Sequence, residues 1–131
     1  MQKYNIVSEF SCTVMEVISG DDLILMVDLG IDDLYKRIRA RLMGVDTPDA
    51  YRKSGDGAAG KVREEVRKLT KGRPCRIMVH EKLRGGWIVR LYINVGRDKP
   101  ELDLNEYLIS QGHIFVAKEK IDGVHTETQT A

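Results

Sequence analysis

Five β-rich segments, a stretch of helical period between the third and fourth, and a short helix after the fifth predict a mainly β fold with α elements. That order, with tight polar turns between strands, suits a five-stranded Greek-key β-barrel of the OB type carrying two to three helices. The 131-residue length fits one domain with a substantial core. Residues 1–8 read as a lead-in, 9–121 as the barrel domain and 122–131 as a polar tail expected to be disordered.

The first strand is Phe10 to Val17, followed by a turn at Ser19-Gly20-Asp21-Asp22. Leu23 to Leu29 is the second, its apolar run predicting burial on both faces for much of its length. Gly30 to Asp33 turns the chain into a third strand, Lys36 to Val45, which alternates. Ile38, Ala40 and Leu42 face inward, and Arg37, Arg39 and Arg41 face outward. Arg37 and Arg39 read as a solvated face, whereas Arg41 stands five residues before Asp46 in the acidic turn Gly44-Val45-Asp46-Thr47-Pro48-Asp49. Pro48 pushes Thr47 toward extended geometry, so this turn does not continue as helix. A helix is predicted from about Asp56 to Lys71, with Ala58/Ala59, Val62, Val66 and Leu69 as its apolar stripe and Gly72 as its stop. Arg76 to His80 is the fourth strand and Arg84-Gly85-Gly86 a short turn. Trp87 to Val95 is the fifth strand, with Trp87, Val89, Leu91, Ile93 and Val95 on one face. Leu104 to Gln111 forms the last helix, ending at Gly112.

Composition narrows the function classes. Hydrophobic and charged fractions of 42% and 31% are those of an ordinary globular protein, and the apolar run Leu23–Val27 is far too short to cross a membrane. Met1-Gln2-Lys3-Tyr4-Asn5 carries no basic segment with an apolar run behind it, so the expectation is a cytoplasmic protein. A net charge of +1, from 21 basic and 20 acidic residues, argues against coating nucleic acid by bulk electrostatics but leaves room for one compact phosphate site. Cys12 and Cys75 have no metal-type spacing and are expected to be reduced thiols. His80, His113 and His125 fall at unrelated spacings and receive no chemical role. Oligomeric state leaves no trace in the sequence.

The chemistry concentrates in acidic turns. Asp21 stands at the tip of the first hairpin, and Asp46 and Asp49 flank Thr47-Pro48. If those ends meet, three carboxylates converge with loop carbonyls, the oxygen set preferred by Ca²⁺ or Mg²⁺. Such a cation polarises a phosphoryl oxygen and orients a water, and Arg41 on the adjacent strand end can grip phosphate in a bidentate way. Asp in a turn more often bonds its own backbone, so these residues alone carry little weight.

Three motifs in order and spacing carry more. Val17-Ile18-Ser19-Gly20-Asp21, Arg41-Leu42-Met43-Gly44-Val45-Asp46-Thr47-Pro48-Asp49, and Leu104-Asn105-Glu106-Tyr107-Leu108 with Gln111-Gly112 together resemble the staphylococcal-nuclease (thermonuclease-like) family over roughly residues 9–117. The resemblance implies the same barrel and a metal-dependent nuclease, at full or reduced activity, that hydrolyses phosphodiester bonds of single-stranded DNA or RNA. Ca²⁺ is the implied cofactor, with Mg²⁺ or Mn²⁺ as alternatives. Asp21 and Asp46 are similar to the family's metal-binding aspartates and the Thr47 carbonyl to its neutral ligand. Arg41 is similar to its phosphate-gripping arginine. Asp49 stands where the family has the glutamate assigned to the attacking water. Asn105 and Glu106 resemble residues that tie the last helix to the barrel.

Departures from the family pattern keep an alternative open. Asp49 is one methylene shorter than glutamate, Asp22 replaces a threonine, and Lys118 is near the position of a base-stacking tyrosine. Gly86 stands where the family carries a second phosphate-binding arginine, leaving Arg84 as its displaced counterpart and Lys82 and Arg84 as further substrate-binding groups. The alternative is a catalytically impaired barrel of the same kind that binds nucleic acid or a protein partner.

Overall fold

The computed structural model describes residues 8–47 and 57–114. The elements are β1 (Ser8–Ser19), β2 (Asp22–Asp28), β3 (Tyr35–Leu42), α1 (Gly57–Thr70), β4 (Cys75–Leu83), β5 (Gly86–Ile93), β6 (Leu102–Asp103) and α2 (Leu104–Ser110). The strand order is β3-β2-β1-β4-β5-β6, and a further pairing of β3 with β5 closes the sheet. That seam is parallel while β1–β2, β2–β3, β1–β4 and β4–β5 are antiparallel, so five strands form a closed mixed barrel compatible with the OB type.

One long strand makes closure possible. β1 pairs with β4 through its first half (Ser8 to Cys12) and with β2 through its second (Cys12 to Ser19). Register shifts between Val14 and Glu16 and between Val17 and Ser19 bend it, as bulges do. The bend turns the β1–β2 hairpin toward the end of β3, where the acidic residues lie.

Alternation fills the interior. Leu23, Leu25, Val27, Ile77, Val89, Leu91 and Ile93 are fully buried, each stabilising by about 1.5–3 kcal/mol relative to exposure. Leu104 and Leu108 of α2 complete that core, and α1 turns Ala59, Val62, Val66 and Thr70 inward.

The structure corrects several boundaries. β2 is buried on one face only, because Ile24 and Met26 alternate outward as half-buried residues in a barrel strand. β3 ends at Leu42, since Met43 and Gly44 already turn. β4 runs on to Leu83 so that it can hairpin with Gly86, well past His80. Ser8, assigned to the lead-in, pairs with Val79, and the short β6 was not anticipated. Ala58 is exposed while Ala59 faces the core. The 122–131 tail, His125, Asp49, Lys118 and the start of the helix at Asp56 lie outside the described residues.

Candidate functional site

Asp21 occupies the tip of the β1–β2 hairpin and is only 4% exposed. A buried carboxylate stays charged only if donors replace its water. Here Ser19 Oγ donates to Asp21 Oδ1 at 3.0 Å, Thr47 Oγ1 donates to the same oxygen at 3.0 Å, and Arg41 Nη2 donates to Oδ2 at 3.2 Å. Three chain segments therefore meet on one side chain: the hairpin, the strand end of β3 and the loop beyond it.

Glycine allows that meeting. A Cβ on Gly20 would stand 2.5 Å from Val62 Cγ1 and 2.8 Å from Thr47 Cγ2, so any side chain there would push the hairpin tip off α1 and the Thr47 loop. The Leu42 amide donates to the Asp21 carbonyl at 3.0 Å, which fixes the hairpin to β3 through the backbone as well.

The Thr47 loop has its own anchors. The Asp46 amide donates to the His113 carbonyl at 3.1 Å, and Val45 bridges Ile114. Asn105, wholly buried, donates from Nδ2 to the carbonyls of Met43 (3.0 Å) and Val89 (3.1 Å) and accepts from the Leu91 amide (2.9 Å). The start of α2, capped by Asp103 through the Glu106 amide, is thereby bonded to the turn that aims Asp46. Glu106 itself is exposed.

Asp21, Asp22, Asp46 and Thr47 line a cavity of about 400 Å³ with Arg39 and Arg41. A second cavity of about 290 Å³ adjoins it: Arg39, Arg41 and Asp22 belong to both, and Leu83, Gly85, Gly86 and Ile88 form its apolar wall. Of the residues singled out from sequence, Asp21, Arg41, Asp46 and Thr47 are thus brought together. Thr47 contributes its hydroxyl to Asp21, a role beyond the expected carbonyl.

Arg84 and Lys82 are not brought to this place. Arg84 is exposed in the two-residue turn between Leu83 and Gly86 and lines neither cavity. Lys82 directs its ammonium over the rings of Trp87 (4.7 Å) and Phe10 (5.6 Å) and lines neither cavity. Trp87 is buried core, as its face on β5 predicts.

One participant was missed. Arg39, read as solvated, bonds Asp22 through Nε at 2.9 Å and Nη2 at 2.6 Å, and this paired carboxylate holds its guanidinium pKa above the ordinary value. Its position two residues from Arg41 on the same face was the available signal; what decided its partner was Asp22 on the neighbouring strand.

The donor chemistry of carboxylates, hydroxyls and loop carbonyls fits a hard divalent cation. Among the described residues, no group of three or more His, Cys, Asp or Glu is close enough together to hold one. Three carboxylates against two guanidiniums leave the larger cavity with one net negative charge, which a divalent cation would turn into one positive charge.

No protein-family model matches the chain, and no curated protein matches it.

Proposed function

We propose that this protein is a metal-dependent phosphodiesterase acting on single-stranded DNA or RNA, with its reaction centre in the larger cavity. The observation that carries this reading is the buried Asp21, held by Ser19, Thr47 and Arg41 beside Asp46 in one cavity. A buried carboxylate bonded to an arginine and set beside a second aspartate in one cavity is a convergence of polar groups of the kind that marks a binding site. Two further points support it. In OB barrels, oligonucleotides are bound by the β2–β3 face with the loops joining strands 1–2 and 4–5, and the two cavities draw on those segments together with the end of β1, β5 and the loop after β3. The motifs shared with the staphylococcal-nuclease family include the same residues.

In this reading Asp21 and Asp46, with the Thr47 carbonyl, hold Ca²⁺, Mg²⁺ or Mn²⁺. Bound there, the cation supplies Lewis-acid polarisation of a phosphoryl oxygen. Arg41 lies half-exposed, with donors left over after its bond to Asp21, and it neutralises the charge that grows on the phosphate as water attacks. Ser19 and Thr47 keep Asp21 oriented. Asp49 is assigned to the attacking water.

A second reading, a barrel that binds nucleic acid or a protein without cutting, draws on the absence of a three-acid cluster among the described residues. The two readings separate in one assay. Purified protein is incubated with single-stranded DNA and RNA in Ca²⁺, Mg²⁺, Mn²⁺ or EDTA, beside Asp46→Ala. Cleavage that needs metal and disappears in Asp46→Ala supports hydrolysis. A well-folded protein that binds either substrate but cuts neither in any metal supports the binding module.

A further inference from the structure

Gly86 and Arg39 belong to one local arrangement. At the barrel seam, where β5 runs parallel to β3 and Ala40 pairs with Trp87, a Cβ on Gly86 would stand 2.8 Å from the Arg39 carbonyl oxygen and 3.5 Å from the Arg39 Cβ. Position 86 therefore has no room for a side chain of any kind unless the seam moves. The space outside it is part of the smaller cavity, and the Arg39 side chain rises beside it.

Asp22 fixes where that side chain goes. It takes Nε and Nη2 of Arg39 in a fork, leaving Nη1 and the outer edge of the guanidinium for another acceptor. Arg39 remains 52% exposed at its side chain while Asp22 is 14% exposed, so the arginine is oriented from beneath and open from above. Arg41, two residues along the same outward face, meets Asp21 through Nη2 alone at 3.2 Å and is 56% exposed. Two guanidiniums, each tethered by its own aspartate, border both cavities.

We infer that Arg39, positioned by Asp22 in the space left by Gly86, is a second phosphate-binding arginine that acts with Arg41 on the phosphodiester backbone of a single strand. This inference rests on the reading of the site given above for its substrate class. It assigns Asp22 a positioning role: its carboxylate touches Arg39 and not the phosphate. Gly86 is then a fixed part of the barrel seam, and the second arginine comes from the neighbouring strand.

The test uses the full chain and a single-stranded DNA oligonucleotide, cleavable for rates and with a cleavage-resistant phosphorothioate backbone for affinity. Arg39→Ala, with a melting temperature near wild type, is expected to slow metal-dependent cleavage by about 10²–10³-fold, the effect of losing one preorganised donor to a developing anion. It is also expected to reduce the slope of log affinity against log salt by about 0.7, the value for one phosphate contact on a single strand. Arg39→Lys keeps the charge and the slope but not the rate, since an ammonium cannot hold Asp22 and phosphate as a planar fork does. Asp22→Asn removes a negative charge and loosens Arg39, so it binds the oligonucleotide more tightly and cuts it more slowly, a split that loss of folding would not produce. Arg37→Ala, on the same strand face but lining neither cavity, serves as the control and retains rate and slope.

If the wild type cleaves and Arg39→Ala matches it in rate and slope, the inference falls and the hydrolase reading stands. The same holds if Arg84→Ala shows these losses in its place. If the wild type binds without cleaving and Arg39→Ala still lowers the slope, hydrolysis falls and the phosphate role of Arg39 stands. A wild type that neither binds nor cleaves overturns both.

Discussion

Asp21 shows what the site demands of single residues. Its carboxylate is almost wholly shielded, and it accepts from two hydroxyls and a guanidinium. Thr47→Val keeps the shape of the side chain but withdraws one donor from a buried anion, which should cost about 1–3 kcal/mol of stability. Denaturant unfolding checks this, and Thr47→Ser, which retains the hydroxyl, should recover most of the loss. A loss with Ser but not with Val would mean that the methyl beside Gly20 matters and the hydrogen bond does not. Arg41→Ala also withdraws a donor from the buried Asp21 carboxylate, so it should cost stability of the same order, about 1–3 kcal/mol, while the proposed activity collapses in protein that is still folded.

Among the elements, the barrel seam and α2 set the site's precision. Gly86→Arg, which would supply an arginine where the family resemblance expects one, should destabilise the protein and fail to raise activity, because its Cβ meets the Arg39 backbone. A lowered melting temperature checks the first half and cleavage assays the second. Asn105→Leu strands the Leu91 amide and leaves two carbonyls without their side-chain donor, with an expected cost of about 3 kcal/mol or more. The elements were readable from sequence because alternation on β3 and β5 and the helical stripe of α1 are strong periodic signals. The ends of β3 and β4 were not, because a turn at Met43-Gly44 stops β3 and pairing with β5 carries β4 on to Leu83. The same divide holds at the site. Asp21, Arg41, Asp46 and Thr47 stand in a recognisable order along the chain, whereas the Asp22–Arg39 fork depends on a diagonal across β2 and β3. Lys82 is drawn to Trp87 by ring contact that no motif encodes.

For the molecule as a whole, the two cysteines give a pH dependence. Cys12 and Cys75 are paired across β1 and β4, both buried and both free. Burial pushes their thiols up from 9.0, to about 12 for Cys12 and about 11 for Cys75. An unfolded chain ionises them near 9.0 while the fold holds their protons, so stability should fall as pH rises from about 9 towards 11. Thermal melts from pH 8 to 11 check this, and replacing both with Ala should flatten the decline. Both thiols should also resist alkylating reagents at pH 8 until the protein unfolds.

Charge is the second property of the whole. A chain with net charge +1 has little overall field to gather nucleic acid, so under the proposed function affinity would come from the cavity, lined by three carboxylates and two guanidiniums, and would depend on a bound divalent cation. The affinity of the cleavage-resistant single strand, measured in Ca²⁺ and in EDTA for the wild type and Asp46→Ala, addresses this coupling directly. Ca²⁺ should tighten binding to the wild type at least tenfold, about 1.4 kcal/mol, and should do little for Asp46→Ala. Equal affinity in Ca²⁺ and EDTA, or a Ca²⁺ response that survives Asp46→Ala, would contradict a cation held between Asp21 and Asp46.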